Sequence, residues 1–183
     1  MFDVILAMTL LIAFLLPMIV IALLVRITSS GPAIYWSKRV GRYSEHFMMP
    51  KFRSMLLETP QVATDKLLEP SKYLTPIGDF LRKSSLDELP QLWCIAMGDM
   101  SFVGPRPALF NQDELIAMRK IAGVDTLRPG LTGWAQVNGR DELPTPIKVE
   151  FDKEYLHRQS FFFDLKIMWK TLLKVIFQDG ITH

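Results

Sequence analysis

The sequence predicts a mainly α-helical protein with a small β element, held at a membrane by its N-terminal helix. Residues Phe2 to Val25 form an apolar run of 24 positions with a single charge, Asp3. This run exceeds the ~18 residues that indicate a membrane helix. About 158 residues follow it, enough for one domain with its own core. Apolar residues recur at helical spacing in several stretches of this remainder, whereas strand-like stretches are short.

Composition excludes several classes of protein. Apolar residues make up 49% of the 183 residues and charged residues 22%, and the mean hydropathy is +0.19. These values exclude a disordered chain and argue against a purely soluble enzyme. Cys94 is the only cysteine, so a disulfide scaffold is excluded as well.

The N-terminal run is compatible with two topologies. A cleaved signal peptide is disfavoured, because no basic residue precedes the long run and no small-residue cleavage site follows it. Pro17 predicts a kink, because proline removes a backbone donor and clashes with the preceding turn. The kinked helix either spans the bilayer or bends near Pro17 and returns to the same face. The residues alone favour a span, because many spanning helices contain proline.

The following elements are mostly short. Thr28 to Pro32 has the composition of a turn, and Ala33 to Trp36 that of a short strand. The later predictions, in chain order, are a polar excursion with three prolines over 57–76, a helix over Ile77–Lys83, an apolar helical face from Leu86 to Ala96, a turn-rich loop over Gly98–Pro107, a helix over Asn111–Ala122, an ordered loop over Leu127–Arg140 and a helix over Ile147–Arg158.

The last predicted helix, Phe161 to Phe177, is strongly apolar. Twelve of its 17 residues are apolar, and Lys166, Lys170 and Lys174 recur every four residues as one stripe. Such a pattern is typical of an amphipathic helix in the membrane interface. The alternative is a helix that packs on the domain core.

Charge is concentrated directly after the apolar run. Residues 26 to 53 contain six bases and one acid, whereas residues 54 to 183 contain 15 bases and 17 acids. A basic stretch in this place suits an anionic lipid surface or a phosphate-bearing ligand. A solvated basic loop is the alternative.

Several common chemistries are excluded by the motifs. The chain has no phosphate-binding or dinucleotide-binding glycine motif and no nucleophile elbow. His46, His157 and His183 lack the spacing of a zinc site. Carboxylates and arginines remain, and oxygen ligands of this kind suit Mg²⁺ bridged to substrate phosphates.

The acidic pair Asp87-Glu88 is the sharpest chemical feature. Ser85 and Glu88 have the spacing of a capping box, and Pro90 follows closely. One interpretation is structural, since acids near a helix N-terminus complement its dipole. The functional interpretation makes Asp87 a nucleophile that attacks phosphorus and Glu88 a ligand of Mg²⁺, which shields the phosphate charge.

Arginines in stiff backbone frames form a second candidate feature. Arg106 lies between Pro105 and Pro107, and the guanidinium fork matches phosphate oxygens. For each of these residues a surface position near a turn is the alternative. The other candidates for phosphate binding are Arg128, Arg140, Lys51, Arg53 and Arg82.

Four blocks of sequence together resemble one known family, the bacterial sugar transferases, and specifically the small monotopic polyprenyl-phosphate phosphoglycosyl transferases. The resemblance covers nearly the whole chain. The blocks are Lys51–Met55, Ser85–Leu92, Gly98–Pro107 and Arg128–Arg140.

The resemblance implies a reaction. Members transfer a sugar-1-phosphate from a UDP-sugar to undecaprenyl phosphate and release UMP, through a covalent phosphosugar on an aspartate and with Mg²⁺. This is the first membrane step in the synthesis of an O-antigen, capsule, exopolysaccharide or glycoprotein glycan. Downstream glycosyltransferases are then implied as partners, and nucleic acid is not.

The resemblance also implies roles for individual residues. Asp87 is the nucleophile, and Glu88 is its dyad partner and a metal ligand. Arg106, Lys51 and Arg82 bind phosphate, and Arg128 and Arg140 line the nucleotide or phosphate pocket. Asp152 and Asp164 match acidic positions near the family's C-terminal end.

The topology implied by the family differs from the one that the residues alone favour. The resemblance implies that residues 1–27 form a re-entrant helix with both ends in the cytoplasm. It also implies that residues 28–183 form a catalytic domain on the cytoplasmic face of the bacterial inner membrane. Leu16 precedes Pro17 where the small members commonly have serine, so the kink motif is only half matched.

Two rival functions and one unassigned property follow. A membrane-associated glycosyltransferase that moves the sugar alone would release UDP instead of UMP, and a non-enzymatic relative would show no turnover. The sequence does not name the sugar, and residues 57–76 and 141–147 are the segments expected to recognise it.

Overall fold

The computed structural model describes residues 2–60, 62, 69–139 and 143–177. The described part is mostly helical with two small sheets, as the sequence predicts. The α-helices are α1 (Phe2–Ala13), α2 (Leu15–Thr28), α3 (Gly78–Lys83), α4 (Leu92–Met97), α5 (Asp113–Ile121), α6 (Trp134–Asn138), α7 (Thr145–Arg158) and α8 (Phe161–Phe177). The strands are β1 (Ile34–Val40), β2 (His46–Phe52), β3 (Ser101–Val103), β4 (Ala108–Leu109) and β5 (Gly130–Thr132).

The chain divides into two compact units. The first contains the residues up to Ser37 together with Met48–Met97, and the second contains Lys38–Phe47 together with the described residues from Gly98 onward. The three-stranded sheet has the order β2-β1-β4, and the second sheet pairs β3 with β5. The predicted division at residue 27 between a membrane helix and a catalytic domain stays a prediction.

The apolar N-terminal run is a bent helix pair. The axes of α1 and α2 differ by 61°, and Pro17 explains the bend, because it lacks the N–H that would bond to the carbonyl of Ala13, the last residue of α1. The Phe14 and Met18 amides keep their helical bonds, at 2.8 and 2.9 Å. No single helix among the described residues is long and apolar enough to cross a membrane, whereas this bent pair reaches the required length and apolarity together.

The first unit joins the bent helix pair to the segment that carries the acidic pair. Ile21 and Val25 of α2 form a buried core with Phe52 and Leu81. The other helix of the pair, α1, packs against α4, and Ala7 is fully buried. The side chains of α2 therefore contribute directly to the core beside β2 and α3.

Close backbone packing organises the second unit. Strands β3 and β5 are parallel, with Ser101 opposite Gly130 and Val103 opposite Thr132. Gly104, Gly130 and Gly133 lie so close to one another that a β-carbon on any of them would collide with neighbouring backbone atoms. Two of the sequence blocks, Gly98–Pro107 and Arg128–Arg140, therefore interlock along their described residues.

The core of the second unit combines helices with β4. Leu115 of α5 and Val149 of α7 pack with Ala108 in one buried cluster. Helix α8 buries Phe163 and Ile167 and contacts α6, β3 and β5.

Most predicted helices are confirmed, and two predicted loops are wrong in part. Helix α8 has the predicted bounds, and α3, α5 and α7 lie within two residues of theirs. The predicted loops over Gly98–Pro107 and Leu127–Arg140 contain β3, β5 and α6. Strands of three residues have no readable periodicity, and they form here because the two segments pair with each other over a distance in sequence.

Candidate active site

The acidic pair lies in a single 3-10 segment, Leu86–Gln91, which we call the dyad turn. Asp87 is 8% exposed, and Glu88 is half-buried. The predicted capping box is wrong, because Ser85 has a left-handed backbone (φ 56°) and makes no capping bond through its side chain. The Glu88 amide instead donates to the Ser85 carbonyl at 3.2 Å.

Lys51 is paired with Glu88. The ammonium Nζ lies 2.7 Å from Glu88 Oε1, and the two side chains are only 15% and 20% exposed. Lys51 is the next-to-last residue of β2, so the end of that strand brings its charge to the dyad turn. A largely buried ion pair holds both groups in one geometry more firmly than an exposed pair would.

Arg53 contacts the end of the bent helix pair. Its Nη2 donates to the Ser29 carbonyl and the Ser29 hydroxyl, both at 2.9 Å, and its Nη1 donates to the Ser30 carbonyl. Burial, and secondarily Arg26, lowers the pKa of Arg53 from its ordinary value. A cation is favourable at the C-terminal end of α2. Substrate binding by Arg53 stays a prediction beside this structural role.

Arg82 lies on α3 in the same unit. Its Nη1 approaches the Met55 sulfur at 3.2 Å, and the residue is half-buried. Met55 belongs to the same sequence block as Lys51 and Arg53. The first unit therefore brings four of the predicted residues into Leu86–Gln91 and the elements around it, while Arg53 turns toward α2.

The two carboxylates of the dyad turn have the chemistry of a metal site in which substrate oxygens supply the remaining ligands. Among the described residues, no group of three or more His, Cys, Asp or Glu side chains is arranged to hold a metal ion. Mg²⁺ is commonly held by one or two carboxylates together with phosphate oxygens. The adjacent Asp87 and Glu88 fit that donor set, with Lys51 placed on one oxygen of Glu88.

The second unit carries two further predicted arginines, Arg106 and Arg128. Arg106 is half-buried, and Arg128 is exposed. The carbonyl of Arg128 is one of the atoms that Gly104 approaches closely, so its backbone position is fixed by the interlocked blocks. Arg140 lies outside the described residues.

Asp152 is buried and paired with an arginine that the sequence reasoning missed. Asp152 is 1% exposed, and its Oδ2 accepts from Arg119 Nε at 2.9 Å and from Nη2 at 2.7 Å. Burial raises the pKa of Asp152, and Arg119 acts in the opposite direction. The two residues are 33 positions apart, so no local pattern could have indicated the pair.

Asp164 also has a structural partner. The Tyr155 hydroxyl donates to Asp164 Oδ1 at 2.8 Å, and Tyr155 is 1% exposed. This contact connects the start of α8 to α7. The predicted functional roles of Asp152 and Asp164 stay predictions.

Comparison with known proteins gives a consistent result. Residues 1–178 match a family described as bacterial sugar transferase. A sugar transferase of Bacillus subtilis is 40% identical over 157 residues, which are 86% of this chain and 76% of that protein. The UDP-glucose:undecaprenyl-phosphate glucose-1-phosphate transferase of Escherichia coli is 40% identical over 94% of the chain. The undecaprenyl-phosphate galactose phosphotransferase of Salmonella typhimurium is 38% identical over 82% of it.

The relatives differ in length. The aligned part is 39% of the Escherichia coli protein and 34% of the Salmonella protein. The chain therefore corresponds to well under half of these two relatives.

Proposed function

The chain belongs to the bacterial sugar transferase family, and from this premise we propose that it transfers a sugar-1-phosphate from a UDP-sugar to undecaprenyl phosphate and releases UMP. The relatives named for this type of reaction support the substrates. The observation that carries the proposal is the dyad turn, where the buried Asp87 lies beside the Glu88–Lys51 ion pair.

In the first step, one carboxylate oxygen of Asp87 attacks the phosphorus that bears the sugar. A P–O bond forms to Asp87, the P–O bond to the bridging oxygen breaks, and the electron pair leaves with UMP. The product is an acyl phosphate that links the sugar phosphate to Asp87. The carboxylate needs no proton removed before it attacks, which suits a site without a neighbouring histidine or cysteine base in the described dyad turn.

In the second step, a phosphate oxygen of undecaprenyl phosphate attacks the same phosphorus. The bond to Asp87 breaks, and its carboxylate is regenerated while the polyprenyl diphosphate sugar departs. Two displacements through one carboxylate allow the water-soluble donor and the lipid acceptor to bind in turn.

Glu88 and Lys51 prepare this site. Their 2.7 Å pair fixes the Glu88 carboxylate beside Asp87 and keeps a positive charge near the incoming phosphates. Mg²⁺, when bound by these carboxylates and the substrate, supplies positive charge that reduces repulsion between anions. Arg82, Arg106, Arg128 and Arg140 are proposed to bind phosphate oxygens.

The protein acts at the cytoplasmic face of the membrane, with α1 and α2 inserted from one side. A polyprenyl chain does not leave the bilayer, and a UDP-sugar does not enter it, so the reaction requires an interfacial site. The shared core of α2 with Phe52 and Leu81 supports this, because it connects the inserted helix to β2, the strand of Lys51.

The test is a panel of UDP-sugars with undecaprenyl phosphate, Mg²⁺ and detergent-solubilised protein, read out as UMP. One UDP-sugar is expected to give UMP, and chelation of Mg²⁺ should abolish its release. Asp87→Asn should lower turnover by at least about 10⁴-fold, as loss of a covalent nucleophile does. Asp79→Asn, which removes an exposed acid on α3, should retain activity.

Mass spectrometry tests the covalent step separately. Without acceptor, rapid quenching should give a phosphosugar adduct on the peptide that contains Asp87. Normal UMP release with no adduct would contradict the two-step mechanism, and release of UDP would instead indicate transfer of the sugar alone.

A further inference from the structure

The main chain around Arg106 is held at three successive carbonyl groups. The Pro-Arg-Pro segment (residues 105–107) has two prolines, which lack N–H groups and have a fixed φ. Its backbone is therefore held mainly through its carbonyls. The donors, in chain order of the carbonyls, are the Gly130 amide at 2.9 Å, Arg119 Nη1 at 2.7 Å and Arg39 Nη1 at 3.1 Å.

Two of the three donors are side chains, and Arg119, which holds the middle carbonyl, is the more firmly fixed of these two. The guanidinium of Arg119 contacts two groups. Its Nε and Nη2 donate to Asp152 Oδ2, and its Nη1 donates to the carbonyl of Arg106 itself. The side chains of Arg119 and Asp152 are 11% and 2% exposed. A planar guanidinium held at two nitrogens by a buried carboxylate can aim its third nitrogen in only one direction.

This arrangement has a consequence for the Arg106 side chain. A carbonyl direction defines the backbone torsion ψ, and φ and ψ together define where a side chain leaves the backbone. The clamp on the Arg106 carbonyl therefore fixes the direction in which the Cα–Cβ bond of Arg106 leaves the backbone, and with it the region that the guanidinium reaches.

We propose that Arg119, oriented by Asp152, is a positioning residue that aims Arg106 at a phosphate group of the substrate. The inference rests on the proposed function, in which Arg106 binds phosphate. Arg39 has a parallel role at the Pro107 carbonyl. Neither Arg119 nor Arg39 needs to touch the substrate, because each acts through the segment that it holds.

A double-mutant cycle tests the inference through kcat/KM for UMP release. Arg119→Lys keeps a charge for Asp152, but an ammonium cannot reach both Asp152 and the Arg106 carbonyl in the same geometry. It should lower kcat/KM by about tenfold, and Arg106→Ala by about 100-fold. In the Arg106→Ala background, Arg119→Lys should have almost no further effect, because residues that act through one group are not additive.

A second measurement does not depend on activity. Hydrogen–deuterium exchange should be faster in the peptide over 99–110 for Arg119→Lys than for wild type. Lys120→Arg, a change at an exposed site on the same helix, is the control and should alter neither exchange nor kcat/KM. If Arg119→Lys does not fold, as judged by its melting temperature, Arg39→Lys replaces it in the same cycle.

The outcomes separate the inference from the proposed function. The positioning role would be overturned if the losses in kcat/KM of the two single variants multiplied in the double variant. Unchanged hydrogen–deuterium exchange in the peptide over 99–110 would also overturn it. Either result would leave the transferase proposal intact. Wild-type protein that releases no UMP from any UDP-sugar would refute the proposed function, while faster exchange in Arg119→Lys would still support the clamp. Full activity of Arg106→Ala would overturn the role of Arg106 and the inference together.

Discussion

Ser85, directly before the dyad turn, has a backbone conformation that residues with a side chain rarely adopt. Its φ of 56° and ψ of 17° are left-handed, which costs roughly 1 kcal/mol for a residue other than glycine. The preceding helix ends at Lys83, so this conformation lets the chain turn sharply into the segment that carries Asp87. The conformation therefore sets the direction in which the segment presents Asp87, the proposed nucleophile.

The first prediction concerns this conformation. Ser85→Gly should keep kcat within about twofold, because glycine adopts positive φ without a steric penalty. Ser85→Val should lower the melting temperature by several degrees, at about 2–4 °C for each kcal/mol in a chain of this size. It should also lower kcat by more than about tenfold, because a β-branched residue disfavours this φ. Steady-state UMP release and a thermal melt measure both effects.

The control for Ser85→Val is Ser84→Val. Ser84 is the adjacent residue and has ordinary right-handed helical torsions. Equal losses in the two variants would show that the bulk of valine, and not the backbone conformation at Ser85, causes the effect.

Arg53 illustrates what residue type can and cannot predict at this scale. The sequence indicates a cation two residues after Lys51, and phosphate binding is the natural hypothesis for it. The partners that the fold supplies are the Ser29 and Ser30 carbonyls, more than 20 positions earlier. A sequence lists the charges of a site, but only tertiary structure determines which of them contact one another.

At the scale of elements, three helices of the second unit meet at Trp134, the first residue of α6. Its Nε1 donates to Glu154 Oε2 of α7 at 2.7 Å, and its ring centroid is 5.0 Å from that of Phe163 of α8. Lys170 of α8 lies 4.9 Å from the same ring centroid, which is within the range of a cation–π contact. Two lysines of the predicted stripe, Lys166 and Lys170, thus lie over the ring of Trp134 in α6.

The second prediction is a pH dependence that arises at this junction. The hydrogen bond from Trp134, followed by Arg158, lowers the pKa of Glu154. A carboxylate with a lowered pKa in the folded state stabilises folding above its ordinary pKa, about 4.3. That contribution is lost as the pH falls through the folded-state pKa. Because the Glu154 side chain is 38% exposed and its charge is partly screened by solvent, Glu154→Gln should lower the free energy of unfolding at pH 7 by only about 0.5 kcal/mol.

The same variant should approach wild type in acid. Denaturant melts in detergent, followed by tryptophan fluorescence from pH 7 to below pH 4, should show the difference shrinking as wild-type Glu154 is protonated. Glu150→Gln, at an exposed acid one turn earlier on α7, is the matched control. A difference that does not change with pH would mean that the ionised carboxylate does not stabilise the junction.

Elements differ in how far the sequence determines them. Helix α8 is long and strongly periodic, and its predicted bounds are those of the structure. Strands β3 and β5 depend on a parallel pairing between residues near 101 and 130, and on glycines whose packing partners lie in the other segment. Such pairings are not readable from a local window, which explains why a loop is predicted there.

At the scale of the whole molecule, large apolar side chains remain exposed in each unit. In the second unit, α8 presents an apolar stripe on the side opposite its buried Phe163 and Ile167. In the first unit, much of α1 and α2 is exposed and apolar. Contiguous exposed apolar surface is uncommon on soluble monomers and marks contact with a membrane or a partner. The stripe of α8 consists of Phe162, Leu165, Trp169 and Leu172.

The last prediction concerns the topology of the bent helix pair. A bend of 61° after Ala13 shortens the reach of the pair along the bilayer normal. The core that Val25 shares with Phe52 and Leu81 holds the end of α2 against β2 and α3. We therefore expect α1 to return toward the face from which α2 enters. Phe2→Cys and Ile27→Cys, at residues that are 52% and 79% exposed, report the two ends. In sealed vesicles of known orientation, a membrane-impermeant maleimide should label both from the cytoplasmic side. Wild type is the background control, because its only cysteine, Cys94, is buried. Labelling of position 2 only from the opposite side would instead establish that the helix pair spans the membrane.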